Sequence, residues 1–284
     1  MTNGTTTKIV SSVILGIVAL GGSILAKYTA SLSTKLMRVC NAGAGGVLLA
    51  VVLVHMLSES SEGLTSAGES IYEFFKPGGG DSFPLGFALC GLGFLANLSM
   101  EVFIPDKHDY EGHSEEESES DSSNSEMAHA HIKVDHRQSC IGGFAALLGL
   151  YLHSLIEGTA AGAQPDVANF DSTFIAIIAH KGFATFSAGS LMLGAVSNPT
   201  WWILMVLLAV MTPVGVLIGM KLEESFEGPV ASGLVCFTSG CLLCIAVYDM
   251  LMPAFLTGNS QWRRRSFFVA VICFSLMSLL AIWS

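Results

Sequence analysis

Residues 140–163 read CIGGFAALLGLYLHSLIEGTAAGA, a stretch whose one charged residue is Glu157. A membrane-spanning helix needs about 20 mainly apolar residues, so this stretch is long enough to cross a bilayer. Lipid offers no hydrogen bonds to an exposed backbone, and the stretch lacks the alternation of polar and apolar residues found in membrane β-barrels. We therefore predict a transmembrane α-helix over these residues.

The composition of the whole chain also indicates a membrane protein. Of the 284 residues, 51% are hydrophobic and 13% are charged, and the mean hydropathy is +0.60. Ordinary soluble domains have about 25% charged residues. The composition therefore excludes a soluble globular enzyme, a disordered chain and a disulfide-rich secreted module. Eight apolar runs cover residues 9–28, 37–57, 83–104, 140–163, 174–196, 201–221, 229–255 and 267–283. We predict an all-α polytopic membrane protein with eight transmembrane helices in a 3+2+3 arrangement.

A polar segment at residues 105–139 separates helices 1–3 (residues 1–104) from helices 4–8 (residues 140–284). Between Pro105 and Gln138, ten Asp or Glu and three Lys or Arg supply −7 of the net charge of −10. A segment this polar cannot form a hydrophobic core. We therefore predict a disordered acidic loop in the cytosol. The chain has no basic patch to neutralise phosphates, so a nucleic-acid partner is not expected.

The same loop holds five of the eight histidines, namely His108, His113, His129, His131 and His136. Imidazoles beside carboxylates form a ligand set for divalent metals, and we predict that the loop captures metal in the cytosol. The alternative is a solvated acidic linker whose histidines bind nothing.

Basic residues are distributed unequally between the two sides of the predicted helices. If the N-terminus is outside, nine lie on the inner side and three on the outer side. The inner set is Lys27, Lys35, Arg38, Lys107, Lys133, Arg137, Arg263, Arg264 and Arg265, and the outer set is Lys8, Lys76 and Lys221. The positive-inside rule therefore predicts that both termini are extracytosolic.

Two further patterns concern the outer side and the packing of the helices. Five acidic residues follow the second run: Glu59, Glu62, Glu69, Glu73 and Asp81. They either concentrate cations at an entrance or form a hydrated loop. Gly158-x-x-x-Gly162 and Gly215-x-x-x-Gly219 are small-residue patterns that favour close packing of helices four and six.

Three histidines lie within the predicted spans, where an ionisable side chain costs about 2.5–3.5 kcal/mol and marks a functional candidate. His153 and Glu157 are four residues apart, so they share one face of the fourth helix. An imidazole and a carboxylate on adjacent turns form half of a metal site. His180 of the fifth helix and His55 of the second helix are candidates for the other half. Three histidines and one glutamate suit Zn²⁺ and also accept Fe²⁺, Co²⁺ or Cd²⁺.

Each of these residues also has a structural interpretation. His55 alone is typical of a hydrogen bond between helices. Lys181 is a candidate to neutralise Glu157 in an ion pair without metal. Asp249 is either a weaker site candidate or an interfacial residue, and Asn97 either lines the inner end of a path or caps the third span.

Two short motifs resemble those of a known family. The sequence His153-Ser154-Leu155-Ile156-Glu157-Gly158 resembles the His-Ser-x-x-Glu-Gly signature of the ZIP (Zrt/Irt-like protein) metal transporters. His180-Lys181-Gly182 resembles the start of the fifth-span motif of that family. Eight spans, outer termini and a His-rich inner loop after the third span are similar too, so the resemblance covers essentially the whole chain.

The resemblance implies a metal site between the fourth and fifth helices, with His153, Glu157 and His180 as ligands and His55 joining from the second helix. Ser154 lies where many family members place a ligand of a second metal. Lys181 lies where two-metal members carry an acid, and an ammonium there repels a second cation. We therefore expect one metal ion. Ala184 is a further departure, because the family motif often has an acid at that position.

The resemblance implies a carrier, not an enzyme, that imports Zn²⁺ into the cytosol, with two groups of helices moving relative to each other in a homodimer. Fe²⁺ or Mn²⁺ is the alternative cargo, and Cd²⁺ is a further candidate. We expect the plasma membrane, with an internal membrane as the alternative. A different class, an intramembrane zinc hydrolase, would retain its metal. The chain lacks the His-Glu-x-x-His motif of a site-2-type protease, whereas a hydrolase site built from Ser, Asp and three His on scattered spans stays open. A receptor with structural histidines is the third interpretation.

Overall fold

The computed structural model describes residues 2–103, 140–164, 167–222, 228–256 and 258–280, and this part of the chain is helical without strands. The helices are α1 (Thr2–Leu32), α2 (Thr34–Glu62), α3 (Thr65–Phe75), α4 (Leu85–Phe103), α5 (Cys140–Ala163), α6 (Val167–Met192), α7 (Asn198–Leu222), α8 (Pro229–Leu256) and α9 (Ser260–Leu280). Two of them change register within the helix, since α2 has a π-helical segment at Val51–Met56 and α8 has one at Ile245–Leu251.

Each of the eight apolar runs overlaps one of the long helices. Within the described residues, five helical stretches are long and apolar enough to cross a membrane, namely Gly4–Leu32, Thr34–Glu62, Thr173–Met192, Asn198–Lys221 and Pro229–Leu256. The chain is therefore a multi-pass membrane protein. The count of eight spans and the side of the termini stay predictions.

Some helices extend beyond the apolar runs. Helix α9 begins at Ser260, seven residues before the apolar run starts at Phe267, and its first turns carry Arg263, Arg264 and Arg265. A helix satisfies its own backbone hydrogen bonds in water as well as in lipid, so hydropathy marks only the part predicted to lie in the bilayer. Helix α3 was not predicted, because its 11 residues are amphipathic and too few to span.

The long helices pack as two groups. In the first helix group (α1, α5, α6 and α7), α5 packs mainly on α7, and α1 packs on α6 and α7. In the second helix group (α2, α4, α8 and α9), α4 packs on α8, and α2 packs on α9 and α8. Fewer contacts join the groups, chiefly between α5 and α8 and between α2 and α6.

The predicted glycine patterns form the tightest contact of the first helix group. A Cβ atom on Gly158 or Gly162 of α5 would overlap backbone atoms of Thr212 or Val216 in α7. A Cβ atom on Gly215 or Gly219 would overlap the backbone of α5 in the same way. The two helix backbones are therefore in direct contact, as small-residue patterns permit.

The two ends of the bundle differ in charge. At one end, Lys27 of α1 donates a hydrogen bond to Asn198 at the start of α7, and its Nζ lies 4.7 Å from the ring centroid of Trp201. Lys35, Arg38 and residues 263–265 belong to the same end, which we call the basic end. At the opposite end, Lys8 Nζ donates to the carbonyl oxygens of Gly162 and Gln164, at 2.9 and 2.6 Å. These pairings agree with the predicted up-and-down order of α1, α5 and α7.

Candidate metal site

Three of the predicted metal ligands converge between α5 and α6. His153 and Glu157 are one turn apart on α5, and His180 faces them from α6. One ligand atom from each residue lies within 4.8 Å of the other two. Both histidines are 1% exposed, so the group is enclosed by the protein. Helix periodicity places His153 and Glu157 on one face of α5, and the packing of α6 against α5 brings His180 to them.

The hydrogen bonds of His180 determine what its ring presents to Glu157. Nδ1 lies 2.8 Å from the carbonyl oxygen of Ala176, and Nε2 lies 2.7 Å from Oε1 of Glu157. A carbonyl oxygen only accepts, so Nδ1 must carry a hydrogen, and Nε2 of a neutral ring then presents a lone pair. A lone pair facing a carboxylate oxygen at this distance requires a proton or a metal cation between them.

His153 supplies a second nitrogen to the same place. Its Nε2 atom is buried, has no hydrogen-bond partner among the described residues, and lies 3.6 Å from Oε1 of Glu157. A buried polar atom without a partner costs about 1–3 kcal/mol, so its retention indicates a ligand-binding role. Two imidazole nitrogens and one carboxylate oxygen facing each other form a donor set suited to Zn²⁺.

Lys181 contacts the other side of the same carboxylate. Its Nζ atom lies 3.1 Å from Oε2 of Glu157 and donates a hydrogen bond of 2.9 Å to Oγ of Ser154. The lysine is 1% exposed. The ion pair and the metal-ligand interpretation of Glu157 are therefore compatible, because each uses a different carboxylate oxygen. Ser154 and Lys181, which the resemblance aligns with a second metal position, therefore contact each other through a hydrogen bond.

His55 lies outside this group. It is in the π-helical segment of α2, and its Nδ1 atom lies 2.9 Å from Oε1 of Glu59, one turn further along the helix. The structure thus brings together three of the four predicted ligands, and the ligand role of His55 stays a prediction. The pairing of His55 with Glu59 was not anticipated, although its i,i+4 spacing is the same as that of His153 and Glu157.

A cavity of about 280 Å³ lies at the end of the bundle opposite the basic end. Its walls include Glu59 of α2, Ala160 and Gln164 of α5, and Ser232 of α8. The Glu59 side chain is 62% exposed. Ala160 is one turn from Glu157 on α5, so the cavity begins close to the metal-ligand group.

The remaining predicted site residues are not part of this group. Asn97 of α4 and Asp249 of α8 are both buried, at 9% and 8% exposed. Asp249 lies in the second π-helical segment, Ile245–Leu251, as His55 lies in the first. The five loop histidines His108, His113, His129, His131 and His136 lie outside the described residues.

Comparison with known proteins identifies the family of the chain. The family model for the ZIP zinc transporters matches residues 5–281. The mouse (Mus musculus) zinc transporter ZIP2 is 27% identical over 271 residues, which cover 88% of this chain and 86% of the relative. Zebrafish (Danio rerio) zinc transporter ZIP1 is 28% identical over 258 residues, covering 84% and 82%. The probable zinc transporter 12 of Arabidopsis thaliana is 28% identical over 285 residues, covering 85% and 76%. The chain therefore belongs to the ZIP zinc transporter family.

Proposed function

We propose that this zinc transporter imports Zn²⁺ into the cytosol through the group formed by His153, Glu157 and His180. The observation that carries the proposal is the convergence of two imidazole nitrogens and one carboxylate oxygen within 4.8 Å in a buried position. Ionisable side chains at this depth mark ion paths in membrane proteins.

Exchange between protons and metal accounts for loading and release. The contact between His180 Nε2 and Glu157 Oε1 needs a positive species, and either a proton or Zn²⁺ supplies it. Because metal ligands must be deprotonated, the two species compete for the same lone pairs. Zinc arriving at the site displaces protons, and protons returning to these atoms displace zinc.

Lys181 tunes the site for passage of zinc through it. Its ammonium neutralises Glu157 by contact with Oε2, so neutral histidines leave the protein side of the site without net charge. A bound Zn²⁺ therefore keeps most of its charge uncompensated, which favours release over permanent retention. The same ammonium repels a second cation, so we propose one metal ion per site.

We further propose that zinc approaches through the cavity beside Glu59. Glu59 is exposed, His55 is 18% exposed, and Glu157 is 12% exposed, so these residues form a series of increasing burial. A carboxylate at the cavity wall raises the local concentration of cations. His55, which pairs with Glu59, is the proposed fourth ligand. It would bind zinc while the ion passes from the cavity to Glu157.

The proposed direction follows from the charge of the two ends. The basic end carries Lys27, Lys35, Arg38 and residues 263–265, and basic residues favour the cytosolic side. The cavity beside Glu59 is at the opposite end. Zinc that enters at the cavity and leaves at the basic end is imported. The proposed location is the plasma membrane. The proposed form is a homodimer, and within each subunit the two helix groups move relative to each other.

Two alternatives are tested by the same experiment. Fe²⁺, Mn²⁺ and Cd²⁺ remain candidate cargoes, and imidazole ligands favour Fe²⁺ and Cd²⁺ over the harder Mn²⁺. An intramembrane hydrolase would retain zinc, whereas the family to which the chain belongs consists of transporters.

The test is uptake of radioactive Zn²⁺ by cells that express the chain, with the protein measured at the cell surface. Glu157→Gln keeps an amide oxygen for Lys181 but removes the charge, and we expect uptake to fall to background. Glu69→Ala, an exposed carboxylate of α3, is the matched control and should transport normally. Excess Fe²⁺, Mn²⁺ or Cd²⁺ ranks the cargoes. Normal uptake by Glu157→Gln at equal surface level would contradict the proposed path.

A further inference from the structure

A second cavity lies on the side of the bundle, where the two helix groups meet. It is a groove of about 460 Å³ between α1 and α6 of the first helix group and α2 and α9 of the second. Its walls include Gly21, Val39, Gly43, Phe183 and Val269 and are almost entirely apolar. Proteins bind small molecules in pockets of about 300–1,000 Å³, so the groove has the size of a ligand site.

The groove has a basic rim on the side nearer the basic end. Lys35 and Arg265 each lie four residues before a wall residue, Val39 and Val269, and therefore on the same helix face one turn nearer the basic end. Both cations also lie close to one aromatic ring, that of Trp262. Lys35 Nζ is 5.9 Å and Arg265 Cζ is 4.8 Å from its centroid.

Neither cation has an acidic partner in the part of the chain that the structure describes. No carboxylate of the described residues pairs with Lys35 or Arg265 within 4.0 Å. Both side chains are exposed. Two exposed cations beside a tryptophan, at the predicted level of the lipid head groups, are available to an anion from the bilayer.

We propose that the groove binds an anionic phospholipid, with one acyl chain along the apolar walls and the phosphate against Lys35 and Arg265. The apolar walls match hydrocarbon, and the rim matches the charge of the head group. Anionic lipids are concentrated in the cytosolic leaflet, which is the side predicted for the basic end. The bound lipid lies between α1 and α2, so it occupies the interface between the two helix groups.

The experiment titrates the purified full-length chain in detergent with palmitoyl-oleoyl phosphatidylglycerol or with the phosphatidylcholine of the same acyl chains. Native mass spectrometry counts the lipids retained per protein and also reports the oligomeric state. Lys35→Gln combined with Arg265→Gln removes the rim charges. Arg263→Gln combined with Arg264→Gln is the matched control, because these arginines line a separate pocket with Phe255, Phe267 and Phe268.

Each basic residue near a membrane surface contributes about fivefold to affinity for anionic lipid, so the rim variant should bind phosphatidylglycerol about 30-fold more weakly at the site. The control variant should retain the most tightly bound phosphatidylglycerol molecule. Phosphatidylcholine should bind weakly to the wild-type chain and to both variants. Equal losses in both double variants would overturn the proposal, because they would indicate general attraction to the basic end.

A second pair of variants tests the acyl chain. A Cβ atom on Gly21 has no neighbour within 4 Å, so Gly21→Leu fills the groove without a backbone clash. Gly91→Leu in α4 has equally open surroundings outside the groove and is the control. We expect Gly21→Leu to lose the tight lipid and Gly91→Leu to keep it. Unchanged lipid binding in Gly21→Leu, or a change in oligomeric state in place of lipid loss, would overturn the proposal, the latter by indicating a second copy of the chain in the groove.

Discussion

Nε2 of His180 lies 2.7 Å from Oε1 of Glu157, while the other ring nitrogen of His180 donates to the carbonyl of Ala176. This arrangement fixes the tautomer of the ring and directs its lone pair at a carboxylate oxygen. A positive species between the two atoms is therefore expected, and under the proposed function its replacement by another is the elementary step of transport.

Removal of a metal-binding side chain should abolish the stabilisation that zinc gives to the protein. A metal ion that binds only the folded state adds about 2.7 kcal/mol to the free energy of unfolding at 100 times its Kd. We expect this gain in the wild-type chain and little or none in His153→Ala. The measurement is thermal unfolding of the purified protein with and without Zn²⁺. Glu69→Ala should keep the full gain, and a full gain in His153→Ala would exclude His153 as a ligand.

Lys181→Met should destabilise the zinc-free protein and increase its response to zinc. Breaking a buried ion pair by removing one partner costs about 3–5 kcal/mol, because Glu157 keeps an uncompensated charge. Zn²⁺ then replaces the missing cation, so zinc should raise the unfolding temperature more in this variant than in the wild-type chain. We also expect slower release and less uptake per unit time. An equal or smaller zinc response in Lys181→Met would contradict the charge argument.

Ser154→Ala should show whether Ser154 positions Lys181 or binds the metal itself. The variant removes the 2.9 Å hydrogen bond to Lys181. A hydrogen bond to a charged group contributes about 1.5–3 kcal/mol to stability, so the unfolding temperature should fall. Zinc-dependent stabilisation should persist, because the described ligand atoms of His153, Glu157 and His180 are unchanged. Its loss would indicate that Ser154 binds the metal directly.

Glu59→Gln should weaken uptake at low zinc more than at saturating zinc. The exposed carboxylate attracts cations to the cavity, and such steering affects the rate of capture. We expect a higher KM with little change in maximal rate, and a weaker dependence of uptake on ionic strength. Glu62→Gln, on the same end of α2, is the control. A reduced maximal rate with unchanged KM would instead place Glu59 in a later step.

Gly215→Leu should prevent normal assembly of the first helix group. A Cβ atom there would overlap the carbonyl oxygen of Leu155 and the backbone nitrogen of Thr159. Overpacking of a close contact costs about 1–3 kcal/mol or more, so we expect a lower unfolding temperature and less protein at the cell surface. Gly91→Leu, whose Cβ position is open, should express normally. Equal expression of the two variants would contradict the close α5–α7 contact.

Much of the fold and half of the candidate site follow from the sequence by simple periodicity. The apolar runs identify the long helices because lipid excludes any open backbone. The i,i+4 spacing of His153 and Glu157 identifies one face of α5, and the short connection to α6 brings His180 close.

The environment of His55 did not follow in the same way. A π-helical turn adds a residue to the helical repeat, so the face reached after Val51 differs from the face that regular α-helical periodicity predicts. The same holds for Asp249 within Ile245–Leu251. The pairing of Lys181 with Ser154 depends on how two helices dock, which no single-helix pattern contains.

The glycine contact between α5 and α7 has a mechanical consequence. Gly158, Gly162, Gly215 and Gly219 leave no side-chain layer between the two backbones to deform or slide. Helices α5 and α7 are therefore expected to move as one rigid unit, so that a displacement of His153 and Glu157 also displaces α7. The force that moves zinc can thus be applied to α7, at a distance from the metal ligands.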